Sequence, residues 1–170
     1  MAFLDAGDIW EPTKLEKQIQ FMEEHHYSFS YTQFKMTGAG KKGRGIVMGG
    51  PQQISLQDLR KCCWMGYLTV MYDAEKIGLL QVQGMRKAND YALWLQVARQ
   101  ADCHLLPECL ATQMTEKGVW HRIFTSEKWV WRYAAYSKME GHNPIIATYM
   151  TLRNLAYAAW KWCKFAGHAC

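Results

Sequence analysis

Two aspartates near the start of the chain stand where carboxylates could bind a metal ion. Asp5 and Asp8 follow the apolar run Ala2-Phe3-Leu4, which is typical of a strand that ends in a polar turn. Open α/β sheets bind ligands beyond the ends of their strands, and paired carboxylates there suit a hard cation such as Mg²⁺, which in turn binds phosphates. Spacing alone favours a plainer interpretation, in which both acids cap the turn or helix that follows.

A third aspartate could act as a base. Asp90 lies in the first turn of a helix that is predicted to begin after an N-cap at Asn89 and to run through Arg99. The helix dipole favours a charged carboxylate in that turn. An ionised aspartate can accept the proton of a substrate hydroxyl. Spacing alone again favours a structural acid at a helix N-terminus, so both interpretations stay open at this point.

A glycine-rich stretch is a weaker candidate. Residues 38–43 match the pattern GxGxxG, which marks a dinucleotide site only when a helix follows it. Residues 44–51 contain three glycines and a proline and cannot form that helix. We therefore interpret residues 38–51 as a flexible loop or hairpin.

Hydrophobic periodicity predicts an α/β body that would position the aspartates. A helix over residues 12–26 is expected to bury Leu15, Ile19 and Met22. A second helix is expected to start at Ser55, and the helix that carries Asp90 is expected to bury an apolar face. That face consists of Leu93, Trp94 and Val97. Further strands are predicted over residues 27–34, 66–72, 103–106 and 110–114.

The last third of the chain has a helical period instead. One helix is expected over residues 124–135 and another after residue 144, with the break at residues 141–144. The second helix carries an apolar stripe at helical spacing. Its members are Ile145, Tyr149, Leu152, Ala156, Ala159 and Cys163. The sequence thus predicts a body over residues 1–119 and a helical pair over residues 120–170.

Charge separates the same two parts. The chain has 170 residues, a length typical of one domain, and a formal charge of +5. Seven of the basic residues but only two acids lie in residues 120–170, together with five of the eight tryptophans, so the body is neutral. Basic, aromatic helices can lie on a membrane surface, or can simply pack on a body with a solvated basic face. The segment contains no nucleic-acid-binding module and no stretch long enough to span a bilayer.

Several blocks resemble family 2 glycosyltransferases. Residues 2–18, AFLDAGDIWEPTKLEKQ, are similar to that family's "AFLDADD.W.P.KLEKQ" segment. Three later blocks occur in the family's order: LTVMYD at residues 68–73, RKANDYALWL at residues 86–95 and LPECLA at residues 106–111. The resemblance spans residues 2 to about 112, and it is to bacterial members of the family that build surface polysaccharides.

The resemblance implies a GT-A (nucleotide-diphospho-sugar transferase) fold that transfers a sugar, with inversion, from a nucleotide-sugar donor to an acceptor hydroxyl. It implies that Asp90 is the catalytic base. Asp5 and Asp8 would hold Mn²⁺ or Mg²⁺ on the donor diphosphate, although Gly7 stands where the family has the second aspartate of its DxD motif. The acceptor would be a glycan or a lipid-linked sugar.

The family's nucleotide-binding half precedes the DxD strand, which here begins almost at Met1. The expected fold is therefore α/β, an incomplete GT-A domain followed by a C-terminal helical pair, and the expected activity is weak or absent in this chain alone. The alternative is a non-catalytic interaction module, for which self-association is one expectation. The first five residues lack a secretory signal. The expected location is cytoplasmic, peripheral at the inner face of the plasma membrane through residues 120–170.

Overall fold

A computed structural model describes residues 1–38, 45–81, 89–115 and 126–168. Seven strands form one sheet, and six α-helices accompany it in these ranges. The strands are β1 (Ile9–Trp10), β2 (Phe29–Gly38), β3 (Ile46–Met48), β4 (Gln53–Ile54), β5 (Met71–Tyr72), β6 (Cys103–Thr115) and β7 (Ala166–His168). The helices are α1 (Lys14–Glu24), α2 (Leu56–Lys61), α3 (Ala74–Ile77), α4 (Asn89–Val97), α5 (Ser126–Ala134) and α6 (Pro144–Phe165).

The sheet is organised around the parallel pair β2 and β6. Its strands run in the order β1-β6-β2-β3-β7, while β4 also pairs with β6 and β5 with β2. All the other pairings are antiparallel. Phe29 and Tyr31 on one face of β2 and Ser30 and Thr32 on the other are all almost fully buried, so both faces of this central strand are covered. The predicted α/β body is therefore present.

One long strand replaces two predicted short ones. The sequence predicted separate strands over residues 103–106 and 110–114, but β6 is continuous. Its register against β2 slips twice, first between the pairs Thr32–Leu106 and Gln33–Cys109 and again before the pair Phe34–Ala111, so that three residues of β6 are skipped. One of these is Pro107, which has no N–H to donate to a ladder. The proline is therefore accommodated by an irregularity and does not end the strand.

Two further predictions of elements were only partly right. The run Ala2-Phe3-Leu4 contributes a single bridge, from Ala2 to Met71, and not a strand. Residues 66–72 form a 3₁₀ turn, Tyr67–Thr69, before the short β5. At Ser55 the prediction is confirmed, because this residue caps α2 through a reciprocal capping box with Asp58.

The helical pair packs against the body and also extends its sheet. α5 continues into a π-helical turn, Ala135–Met139, and α6 begins after Asn143, whose side chain caps it. β7 then adds to β3 in the body's sheet. The apolar stripe of α6 is largely exposed: Ile145 is 82% and Tyr149 61% exposed. Within the described ranges, no helix is both long and apolar enough to cross a bilayer.

The pair is held to the body by a buried polar network. The Tyr91 and Tyr136 hydroxyls are 2.7 Å apart, and Asn154 donates to the Tyr136 oxygen at 3.0 Å. Glu140 accepts from the guanidinium groups of Arg60 and Arg99. Burial alone would raise the pKa of Glu140, but these hydrogen bonds and charges outweigh it and hold the pKa below its usual value.

Candidate active site

Asp5 and Asp8 lie at the two ends of one tight turn. The backbone N–H of Asp8 donates to the Asp5 carbonyl oxygen at 3.1 Å. Gly7 has a φ of 93°, the left-handed value that the third position of a type II turn requires. A Cβ atom at Gly7 would meet nothing within 4 Å. The glycine is therefore required by the backbone conformation and not by lack of space.

The two carboxylates of this turn have different surroundings. Asp5 is exposed, whereas Asp8 is half-buried. Asp8 Oδ1 accepts a hydrogen bond from the backbone N–H of Met114, near the end of β6, at 3.1 Å. This bond orients the Asp8 carboxylate. In the described part of the chain, no group of three or more His, Cys, Asp or Glu side chains is placed to hold a metal ion.

Asp90 lies in the first turn of α4 and is half-buried. α4 is described from Asn89 onward, and the residues before it, which would show whether Asn89 caps the helix, lie outside the described ranges. The predicted inner face is confirmed, because Leu93, Trp94 and Val97 are all buried. Trp94 lies one helical turn after Asp90, on the same side of α4. The buried tryptophan therefore anchors the side of α4 that carries the aspartate.

Asp5 and Asp90 are brought to the same neighbourhood, around the side chain of Tyr67. Burial raises the pKa of the Tyr67 hydroxyl, and the negative charges of Asp5 and Asp90 raise it further. Burial likewise raises the pKa of the Cys63 thiol to about 12, and the charge of Asp90 again contributes. The charge of Asp90 therefore acts on both Cys63 and Tyr67, and the charge of Asp5 also acts on Tyr67.

Sequence reasoning missed three residues of this region. Lys14 and Gln18 are fully buried on α1, and Tyr67 is half-buried on the 3₁₀ turn. Leu15 and Ile19, predicted to be buried, are 42% and 46% exposed. The spacing of Lys14, Gln18 and Met22, four residues apart each time, is the signal for the true inner face. It was overlooked because two of the three residues are polar.

The curated proteins that are similar in sequence to this chain include bacterial glycosyltransferases. No protein-family profile matches the chain. It is 32% identical, over 130 residues, to TuaG of Bacillus subtilis, whose name describes it as a teichuronic acid biosynthesis glycosyltransferase. That match covers 76% of this chain and 50% of TuaG. It is 34% identical, over 99 residues, to WfgD of Escherichia coli, a UDP-Glc:α-D-GlcNAc-diphosphoundecaprenol β-1,3-glucosyltransferase. That match covers 58% of this chain and 38% of WfgD.

Among solved structures, the chain is similar to residues 1–349 of TarS from S. aureus in complex with UDP-GlcNAc, with a TM-score of 0.53 and 12% identity. The match covers 96% of this chain and 48% of TarS, and at that identity it shows the fold alone. The predicted fold class, part of a GT-A domain with a C-terminal helical pair, is confirmed. The chain spans about half the length, or less, of the curated relatives it matches.

Proposed function

We propose that this chain, a homologue of glycosyltransferases that build bacterial surface polysaccharides, forms the acceptor side of such an enzyme. The reaction is transfer of a sugar, with inversion, from a nucleotide-sugar donor to a hydroxyl of a glycan or lipid-linked acceptor. One observation above all supports this proposal. The segments that carry Asp5 and Asp90, which are far apart in the sequence, meet where the ring centres of Phe3 and Trp94 lie 5.1 Å apart.

Asp90 acts as the base. Its carboxylate takes the proton of the acceptor hydroxyl while the hydroxyl oxygen attacks the anomeric carbon and the bond to the nucleoside diphosphate breaks. The N-terminus of α4 favours the ionised carboxylate that this step requires. The packing of Trp94 in the core fixes the helix beneath the base. Attack from the face opposite the leaving group inverts the anomeric configuration.

Asp5 and Asp8 fit a divalent cation, Mn²⁺ or Mg²⁺. Both supply carboxylate oxygens, the ligands that these cations prefer, from a single closed turn. A backbone N–H on a ligating carboxylate, such as that of Met114 on Asp8, is a usual support for a metal ligand. When bound, the cation neutralises negative charge on the donor diphosphate. Two side chains leave the remaining coordination to the donor and water.

Sugar transfer tests this assignment. The full chain is incubated with Mn²⁺, labelled UDP-glucose and GlcNAc-diphosphoundecaprenol, together with the nucleotide-binding portion of a relative as a separate polypeptide. We expect transfer in the mixture and a loss of at least about 100-fold in D90N. The control is D102N, because Asp102 accepts from Gln53 on β4 and an amide oxygen keeps that bond. Equal rates in D90N and the unmodified chain would exclude Asp90 as the base.

A specific observation also favours contact with a membrane surface. Ile145, Tyr149 and Leu152 are 82%, 61% and 50% exposed and lie on one face of α6. This apolar stripe continues toward Trp160, which is 45% exposed. α6 contains three basic residues and no acid. Apolar side chains flanked by cations are typical of a helix that lies in the interface of an anionic membrane.

Vesicle flotation tests this second proposal. We expect the chain to float with phosphatidylglycerol vesicles at low salt, and the variant I145S/Y149S/L152S to remain in the bottom fraction. Phosphatidylcholine vesicles should bind less of the chain, because the cationic contribution is then lost. If the unmodified chain does not float, the stripe has another occupant. Sedimentation of the same variant then shows whether that occupant is a second copy.

A further inference from the structure

The turn that carries Tyr67 is closed by its own hydrogen bonds. The backbone N–H and the hydroxyl of Thr69 both donate to the Gly66 carbonyl oxygen, at 3.0 and 2.7 Å. A Cβ atom at Gly66 would lie 3.1 Å from the Phe34 ring and 3.2 Å from a methyl group of Leu68. Glycine therefore lets the turn approach the core closely. The side chain of Tyr67 projects from a fixed piece of backbone.

The same turn is also held from the segment that follows Asp5 and Asp8. Gln18 donates to the Thr69 carbonyl oxygen at 3.0 Å, and the Trp10 indole donates to that of Leu68 at 2.7 Å. Lys14 donates to Gln18 at 2.7 Å, and its ammonium lies 4.5 Å from the centre of the Trp10 ring. The side chains of Trp10, Lys14 and Gln18 thus fix the turn that carries Tyr67 relative to the turn that carries Asp5 and Asp8.

Aromatic packing joins Tyr67 to both aspartates. Its ring centre lies 5.1 Å from that of Phe3 and 6.0 Å from that of Trp94. Phe3 precedes Asp5 by two residues, and Trp94 follows Asp90 by one helical turn. Phe3 and Trp94 also contact each other, with ring centres 5.1 Å apart. Tyr67 therefore packs against both segments that carry the carboxylates, and its side chain is only half-buried.

We propose that Tyr67 is an acceptor-binding residue, whose ring packs against the Asp5 and Asp90 segments and whose hydroxyl hydrogen-bonds a hydroxyl group of the acceptor sugar beside Asp90. This rests on the proposed function. A phenol group can both donate and accept hydrogen bonds, as a sugar hydroxyl can. A half-exposed tyrosine supplies an apolar surface with a polar tip. The adjoining carboxylate completes a site for a polyhydroxylated ligand.

Tyrosine NMR on the full chain tests the proposal without requiring turnover. With ¹³C-labelled tyrosine, the Tyr67 signal is identified by its absence in Y67F. Removal of one negative charge stabilises the phenolate, so we expect D5N and D90N each to lower the pKa of Tyr67. Methyl α-N-acetylglucosaminide should shift the Tyr67 signal, while the signal of Tyr149, exposed on α6, stays in place. In Y67F the glycoside should bind roughly three- to tenfold more weakly, because one hydrogen bond is lost.

The outcomes separate this inference from the proposed function. A pKa of Tyr67 that is unchanged in both D5N and D90N would overturn the geometry. Equal glycoside affinity in Y67F and the unmodified chain, or equal shifts at Tyr67 and Tyr149, would overturn acceptor binding. If the Tyr67 signal responds as expected but the mixture transfers no sugar, the inference is retained and only the proposed catalysis fails.

Discussion

Helices α1 and α6 both bury polar side chains and expose apolar ones, but the consequences differ. In α1 the buried Lys14 and Gln18 form hydrogen bonds that reach the turn carrying Tyr67. In α6 the buried Asn154 donates to Tyr136, within a network that fastens the helical pair to the body. The polar side chains of α1 thus shape the candidate active site, whereas those of α6 determine how the C-terminal helices dock.

The exposed apolar residues of the two helices differ as well. α1 exposes Leu15 and Ile19, which lie beside charged side chains on a short helix. α6 exposes a stripe that runs from Ile145 to Trp160. Isolated exposed apolar residues are normal on a protein surface, but a contiguous stripe marks a contact surface. The inner face of α1 therefore positions the turn that carries Tyr67, and the exposed stripe of α6 is consistent with the proposed contact with a membrane surface.

The largest expected effect lies on α6. Leu155 is 5% exposed, so Leu155→Ala should lower the free energy of unfolding by about 3 to 4 kcal/mol through lost contacts and a cavity. Leu152 is 50% exposed, and Leu152→Ala should change it by no more than about 0.5 kcal/mol. Urea denaturation measures both. Similar losses in the two variants would mean that the stripe is packed and not available for docking.

The buried charge on α1 predicts a pH dependence of stability. Burial lowers the pKa of Lys14 from 10.5 to about 8. Between these two values the unfolded chain binds more protons at this site than the folded chain, so stability rises with pH. The rise should amount to at most about 3 kcal/mol and be absent in Lys14→Met.

Lys17→Met is the matched control for Lys14→Met. Lys17 pairs with Glu108 on the surface and is 44% exposed. Its variant should keep the rise in stability between pH 8 and 10.5. The measurement is urea denaturation at several pH values across that interval. If the free energy of unfolding of Lys14→Met changed with pH as it does in the unmodified chain, the Lys14 ammonium would be solvated in the folded chain.

A smaller loss is expected when the buried amide of α1 is removed. Gln18→Leu keeps the approximate volume but removes the bonds to Lys14, Ser30 and the Thr69 carbonyl oxygen. We expect about 2 kcal/mol lower stability, because buried polar partners are left unsatisfied. Gln20→Leu is the control, since the Gln20 side chain donates a hydrogen bond to the Glu24 carboxylate on the exposed side of α1. Equal thermal unfolding of the two variants would show that α1 does not hold the Tyr67 turn.

These helices also show how far the sequence could predict the structure. Apolar spacing placed both ends of α1 within two residues and the start of α6 at residue 144, because helix formation follows local pattern and caps. It chose the wrong face of α1, because Gln18 is buried by a bond to a carbonyl oxygen that is distant in sequence, and Lys14 is buried beside Gln18. A periodicity that counts only apolar residues cannot detect such partners.

The candidate site was predicted to a similar extent. Asp5, Asp8 and Asp90 were selected from strand-end and helix-start positions and from the resemblance, and their roles remain proposals. Tyr67 was not selected, because residues 66–72 were read as a regular strand. Thr69 closes the turn by donating to the Gly66 carbonyl oxygen, and Gln18 and Trp10 hold it from a distant part of the chain. The local apolar pattern contains no signal for these distant bonds. The sequence indicated where each aspartate lies along its strand or helix, but it did not indicate which segments come together in the fold.

The smallest expected change in stability concerns Gly7, and it tests the metal proposal directly. Space at Gly7 is open, so Gly7→Asp can supply the second carboxylate of a DxD motif without a clash. The positive φ of 93° makes any side chain there cost about 1 kcal/mol of stability. We expect G7D to bind Mn²⁺ more tightly in isothermal titration calorimetry. Gly7→Asn carries the same backbone strain without the charge and should bind no better than the unmodified chain. If G7N gained as much affinity as G7D, the gain would come from the backbone and not from a carboxylate, and Asp5 and Asp8 would no longer define a metal site.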